Sequence, residues 1–298
     1  SGKTNSYKTI TSTNSSELEN LWVTGSGAGS KATGYWVDSD GQEATFTNSG
    51  LIDAKEATAA IKVQKGTSTD KNTILLTSGS QILGNISIDA PNTTLNMEDG
   101  AVYEGRISVS KGATNTAISG TQKAVGLTAS NGAGAALYLG PADSSASIKN
   151  TLYSGNKAID TKSAAGGAVY SNGSPIYFEN TVFDGNSAAI TAPSENTDGA
   201  AGGAIQIKGS PDTVFKDVVF TNNSATVTGA YGIGAYAFGG AILVDYSTGS
   251  ATGVKRDSDV KFIITKDLAY TGNTVSSDGN GEPNTYDYTH SHTQAGGF

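Results

Sequence analysis

Residues 166–188 read GGAVYSNGSPIYFENTVFDGNSA, and residues 202–225 read GGAIQIKGSPDTVFKDVVFTNNSA. One pattern written twice, with an unrelated stretch between, means one supersecondary unit stacked on copies of itself. The closing half recurs four times: IKNTLYSGNKA (148–158), FENTVFDGNSA (178–188), FKDVVFTNNSA (215–225) and TKDLAYTGNTV (265–275). Aligned, these give an aromatic column at Tyr153, Phe183, Phe220 and Tyr270, and an asparagine column at Asn156, Asn186, Asn223 and Asn273. A second polar column holds Asn150, Asn180, Asp217 and Asp267. Each copy follows a glycine-rich opening (GAALY at 134, GGAVY at 166, GGAIQ at 202, GGAIL at 239), and the count from glycine to asparagine is 22, 20, 21 and then 34 residues.

The first half carries a looser version. GSQILGNISI (79–88) and GAVYEGRISV (100–109) align column for column, 21 residues apart, and Asn-Thr turns at Asn72, Asn92 and Asn115 keep similar time. A period of roughly 20–24 residues fits one circuit of a parallel β-helix, three short strands and their corners. In such a stack equivalent residues lie about 4.8 Å apart, so inward rings form a ladder and corner asparagines bond to one another. Asparagine also tolerates the left-handed conformation of a tight corner, and paired glycines let the backbone turn where a Cβ would clash. Alternation such as A-I-Q-I-K and R-I-S-V-S puts one face inside and one in water. A ladder ring such as Phe183 is then worth about 3–5 kcal/mol against alanine, and a ladder asparagine such as Asn186 about 1 kcal/mol.

Composition agrees. The chain has 298 residues, 39 of them glycine, with 36% apolar and 15% charged residues. That is too little charge for a polyelectrolyte-like disordered chain, and Ser, Thr, Asn and Gly supply turns and polar strands. The best helical stretch, Leu51–Lys65, is short and rich in Thr and Ala. Net charge is −8, which argues against nucleic acid and anionic membranes as partners, since both need a basic footprint. No cysteine is present, so stability rests on stacking and hydrogen bonds rather than disulfides. No apolar run reaches the roughly 18 residues that span a bilayer, and SGKTNSYKT at the start is no signal peptide.

The GGA(I/V/L) opening with an F-x-x-N-like closing (GGAVY…VFDGN, GGAIQ…VFTNN) resembles the repeats of bacterial autotransporter passenger domains, the polymorphic membrane proteins among them. TNSGLI (47–52) and GSQILGNISI resemble the self-associating adhesin passengers more. The resemblance covers residues 45–298. It implies an all-β, right-handed parallel β-helix with protruding loops, on the outer surface of a Gram-negative bacterium. It also implies a non-enzymatic adhesin that promotes aggregation, biofilm or host attachment, with other copies of itself or a host surface protein or glycan as partner. A C-terminal translocator barrel, the membrane anchor of such proteins, is not in this sequence, and GGF at 296–298 has the form of another coil's opening. The chain is therefore expected to be a passenger fragment: an N-terminal capping, irregular segment at 1–44, which holds Trp22 and Trp36, and a β-helix at 45–298.

Catalytic chemistry finds little purchase. No G-x-S-x-G elbow is present, and the two histidines, His290 and His292, sit in a polar tail. A carboxylate pair at Asp217 and Asp267 would suit a glycosidase, but that column is asparagine elsewhere and reads as a polar corner. A carbohydrate-active β-helix enzyme and a purely structural stalk remain the alternatives to an adhesin. Asp287, His290 and His292 have spacing suited to a metal, and Asp38, Asp40 and Glu43 partly echo a calcium loop. An exposed tail and a hairpin turn at Asp40–Gly41 are the better readings, and no metal or cofactor is expected.

Inserts leave each coil at one corner: IDTKSAA (159–165), AITAPSENTDGAA (189–201), TVTGAYGIGAYAF (226–238) and a longer segment at 276–295. They should emerge on one side of the rod as loops. Their rings, Tyr231, Tyr236, Phe238, Tyr286 and Tyr288, are the candidate binding residues, because aromatic rings among Gly and Ser make binding loops.

Overall fold

The computed structural model describes residues 9–14, 17–18, 33–37, 43–55, 59–63, 71–191, 199–209, 212–228, 237–245, 260–267 and 269–277. Among them there is no helix, and every strand pairing is parallel. The Leu51–Lys65 stretch yields two strands, Leu51–Asp53 and Ala59–Val63. The described residues form a parallel β-helix of nine coils, with three long sheets of nine, nine and eight strands. We call them sheets A, B and C in the order the chain visits them. The third coil serves as an example: Asn72–Leu76 in sheet A, Gln81–Leu83 in sheet B and Ile86–Ile88 in sheet C.

Alternation turns this circuit into a core. Strand Asn72–Leu76 buries every second residue, as do Thr93–Met97 and Ile86–Ile88. The buried positions of successive coils then stack into one hydrophobic cluster from Phe46 to Ala241. The expected aromatic column stands on sheet B: Tyr153–Phe183, Phe183–Phe220 and Phe220–Tyr270 stack at centroid separations of 4.9, 5.0 and 6.2 Å. The first three rings are fully buried, and Tyr270, in the last coil, is half-buried. A second column on sheet A, Phe178–Phe215–Phe262, stacks at 5.5 and 4.9 Å. It meets the first edge-on through Phe178–Phe183 and Phe215–Phe220. In the fifth coil the ladder is interrupted by a buried amide. Gln122 Nε2 donates to the carbonyls of Gly105 and Ala136, and its Oε1 accepts from the Tyr153 hydroxyl, so the core polar group is satisfied.

Several expectations need correction. Within 1–44 the described strands form a coil at one end of each long sheet. Thr9–Asn14, Glu17–Leu18 and Thr33–Val37 pair with Glu43–Asn48, Leu51–Asp53 and Ala59–Val63. Strands Thr33–Val37 and Glu43–Asn48 therefore belong to different sheets, C and A, and do not pair as the arms of the expected hairpin; Asp40 and Gly41 lie outside the described residues. Asn72 is out of step with Asn92 and Asn115: it is a buried strand residue level with Thr93, whereas Asn115 Nδ2 donates to Asn92 Oδ1 at 2.8 Å.

The inserts are not simple loops. From the fifth coil onward they add two further sheets, D with five strands and E with three, between B and C. In the sixth coil Lys157–Asp160 runs out in sheet D and Ser163–Ala165 returns in sheet E. In the seventh, Ser187–Thr191 and Gly199–Ala201 do the same, and in the eighth Ser224–Thr228 and Ala237–Phe238. Between the two sheets lies a second small core of Ala164, Ala188, Ile190, Ala200, Ala225, Val227 and Ala237. The stacked arches form a fin along one corner of the rod. Five of these seven residues are alanine, so the two sheets of the fin meet mainly through small side chains.

Two outcomes test this packing. Phe183→Ala is expected to cost about 3–5 kcal/mol in denaturant unfolding, since it removes a ring stacked on both sides. Burial also raises the phenol pKa values of Tyr103 and Tyr153 well above their ordinary range. Above about pH 10 the unfolded chain loses these protons and the folded one keeps them, so stability should be constant below that pH and fall above it. An unfolding midpoint that stays flat to pH 11.5, roughly one and a half units past the free phenol value, would contradict the burial.

Candidate functional site

The repeat motifs converge on the neck where the fin joins the rod. On the outgoing side, the residue before each column asparagine takes a left-handed conformation: Gly155 (φ 62°), Gly185 (64°), Asn222 (56°) and Gly272 (70°). The asparagines themselves do not, contrary to the role expected of them. Their side chains turn inward instead. Asn156, Asn186 and Asn223 are fully buried. Asn186 Oδ1 accepts from the backbone N–H and Nδ2 of Asn156 at 3.1 and 2.9 Å, and Asn223 Oδ1 does the same for Asn186 at 3.0 and 2.9 Å. Asn273 Oδ1 repeats it for Asn223. Each Nδ2 also reaches back to a carbonyl of the coil below, Asn186 to Tyr153 and Asn223 to Phe183.

The returning side is the Gly-Gly-Ala. Gly166, Gly202 and Gly239 have φ of 57°, 63° and 57°. The glycine that follows has a steric reason: a Cβ on Gly203 would lie 1.9 Å from the Gly240 carbonyl oxygen and 2.5 Å from Ser224 N, and one on Gly167 would lie 2.1 Å from Gly203 O. Incoming and outgoing backbones thus pass each other, and the coil above, at distances that exclude any side chain. The motif marks a pinch in the fold rather than a ligand site.

The second polar column is left-handed too, with Asn150 at φ 49°, Asn180 at 50° and Asp217 at 52°; the two asparagines are exposed and Asp217 is half-buried. Asn180 Nδ2 donates to Asn150 Oδ1 at 2.8 Å. Asp267 does not continue it. Strand register sets Lys216 level with Ile263 but Phe220 level with Tyr270, so the ninth coil has extra residues at this corner. Thr265 takes the place, donating from N and Oγ1 to the Asp217 carboxylate at 2.7 and 2.6 Å, and these bonds hold its pKa below the usual carboxylate value. The carboxylate pair that a glycosidase would need is replaced by an acid–hydroxyl contact.

Among the described residues no group of three or more His, Asp or Glu is placed to hold a metal ion. Glu43 is exposed at the start of its strand, while Asp38, Asp40, Asp287, His290 and His292 lie outside the described residues. So do Tyr231, Tyr236, Tyr286 and Tyr288. Phe238 is described: it ends the third strand of sheet E, half-buried and level with Ala201. A feature outside the repeat columns stands on the outward side of sheet C. Tyr138 and Tyr170 stack there at 5.4 Å, with the Arg106 guanidinium 6.0 Å from the Tyr138 ring centroid. Their signal in the sequence is two tyrosines at the same offset after GAA and GGA.

No family model matches this sequence, and no curated protein or solved structure matches it significantly.

The neck yields two expected outcomes. Asn186→Ala should cost about 2–4 kcal/mol, above the single-bond figure, because it strands the Asn156 N–H and the Tyr153 carbonyl in the interior. Replacing residues 192–198 by a two-residue turn such as Thr161-Lys162, which joins the arch of the sixth coil, should leave the unfolding midpoint nearly unchanged, since loop length contributes little. Extending the cut to Ile190 and Ala200 should lower it clearly, because both belong to the fin core.

Proposed function

We propose that this chain is the passenger part of a bacterial cell-surface adhesin. It works without catalysis, through weak association with copies of itself on neighbouring cells or attachment to host surfaces. The observation that supports this most is the outward face of sheet A. Thr45, Thr73, Thr94, Ala117 and Ser145 stack in one register row, and Thr47, Leu75, Asn96, Ser119 and Ser147 in the next. Five coils therefore present two rows of uncharged, mostly small and polar side chains, Leu75 being the exception, in a chain with 27 acidic and 19 basic residues. Charge stands at the ends of the patch, at Glu43 on its first strand and Lys149 on its fifth, and in the coils that follow at Glu179, Lys216 and Lys261.

Such a face suits repeated weak contact. Hydrogen bonds between hydroxyl and amide groups are worth about 0.5–1.5 kcal/mol net each, so useful adhesion needs many, and the stack supplies them in register. A two-fold arrangement would let the same patch serve on both partners. The overall charge of −8 opposes close approach in dilute buffer and is screened at physiological salt, where the Debye length is about 8 Å. The GGA and F-x-x-N repeats, similar to those of autotransporter passengers, support a place at the cell surface.

Cells displaying the chain should clump, more at 0.15 M salt than in low-salt medium. Sedimentation of the purified chain should show weak reversible dimers, on the order of 10⁻⁴ M, an energy near −5 kcal/mol. Thr73→Lys and Thr94→Glu, both on the outward face, should disperse the cells without unfolding the rod. A strict monomer at high concentration, with no clumping, would rule out self-association and leave host attachment.

A further inference from the structure

The outward side of sheet C carries a row unlike the other faces. Register places Ser108, Tyr138, Tyr170, Gln206 and Leu243 directly above one another in five successive coils. Tyr138 and Tyr170 are half-buried and stacked nearly parallel, at 10°. Arg106 fixes the lower end: its Nε and Nη2 donate to the carbonyls of Gly134 and Ala133 at 3.0 Å each, which holds the guanidinium beside the Tyr138 ring. Two aromatic rings are thus held side by side on the outward surface of sheet C.

Gln206 supplies the second observation. It is only 5% exposed, yet its Oε1 accepts no hydrogen bond. Its alternation settles which way it faces, because Ile205 and Ile207 on either side of it are buried in the main core. A buried amide carbonyl without a donor costs free energy. Asn72 Oδ1 and Ser80 Oγ are unpaired as well, at inward positions of their coil, whereas Gln206 stands on the outward side of its strand, level with the tyrosine pair. An oxygen left unpaired beside two positioned rings is the signature of a site awaiting a hydroxyl or amide donor.

We propose that the Tyr138–Tyr170–Gln206 row binds an extended, uncharged polysaccharide lying along the rod axis. Successive members of the row are about 4.8 Å apart, comparable to one sugar unit of an extended β-linked chain. Neighbouring coils can therefore address neighbouring sugars. Tyrosine offers an apolar body and a polar tip to a ligand that is itself part apolar and part hydroxyl, and a sugar hydroxyl supplies the donor that Gln206 lacks. A neutral chain fits better than a polyanion, since the protein carries a net charge of −8 and Arg106 already spends its Nε donor and one Nη2 donor on carbonyls. The row lies on sheet C, apart from the sheet A face, and this proposal stands independently of self-association.

Affinity electrophoresis of the purified chain through native gels containing hydroxyethylcellulose, xylan or polygalacturonate tests it. Retardation by one of the two neutral polymers is expected, weakened at least tenfold in Tyr138→Ala/Tyr170→Ala. Gln206→Leu separates a ligand role from a structural one. It should weaken retardation comparably while leaving the unfolding midpoint of the free protein unchanged or higher, because the lost carbonyl had no partner. No retardation in any gel, retardation only by polygalacturonate, or retardation unaffected by the tyrosine substitutions would overturn the proposal. So would a Gln206→Leu variant that is clearly destabilised without ligand.

Discussion

Two backbones passing within less than a side chain's width set the terms for this fold. Where the fin leaves and rejoins the rod, Gly167, Gly203 and Gly240 lie against the carbonyls of the next coil so closely that no Cβ fits. A gap that narrow excludes water, so every polar group in it must find a protein partner. The asparagine column answers that demand, each side chain tying its own coil to the coil above and the coil below. The glycines and asparagines of the repeat are two sides of one constraint, and that is why they recur together.

Much follows from this pinch. It lets each coil extend an arch sideways without disturbing the phenylalanine and tyrosine stacks next to it. Tyr153, Phe183 and Phe220 sit within three residues of the asparagines on the same turn of chain, so packing and hydrogen bonding reinforce each other. The earlier coils, which lack the fin, also lack the Gly-Gly-Ala. There the corner glycines Gly84 and Gly105, with φ of 130° and 155°, press against the coil below: a Cβ on Gly84 would lie 2.7 Å from Ala54 O, and one on Gly105 2.2 Å from Gly84 O.

The ladders on sheet B are legible in the sequence because ring and asparagine keep a fixed three-residue spacing inside every copy. The second ladder, Phe178–Phe215–Phe262, is not, since its column in the aligned copies reads Ile148, Phe178, Phe215 and Thr265, and the extra residues of the ninth coil set Phe262 outside the motif. Sheets D and E look like loops in the sequence because Ala, Thr, Gly and Ser dominate them. Strand propensity there is weak, and lateral stacking on neighbouring arches supplies what composition does not. Asp267 falls out of its column for a related reason: alignment on the motif follows sheet B, whereas the corner before it belongs to sheet A. The tyrosine row is inconspicuous because its members face outward, where alternation predicts only polarity. The burial of Gln206 and its unpaired oxygen are tertiary facts that no pattern of residue types announces.

The neck is an adhesive between coils more than a surface for partners, and function is left to the faces beside it. Native-state hydrogen exchange followed residue by residue tests that division most directly. The backbone amides of Asn156, Asn186 and Asn223, which donate to the asparagine of the next coil, should be among the slowest in the chain and open only with global unfolding. The amide of Lys162, bonded to Asp160 at the arch of the sixth coil, should exchange far faster. Exchange of the three asparagine amides at the rate of the arch would contradict this, because the neck would then not be what holds the stack together.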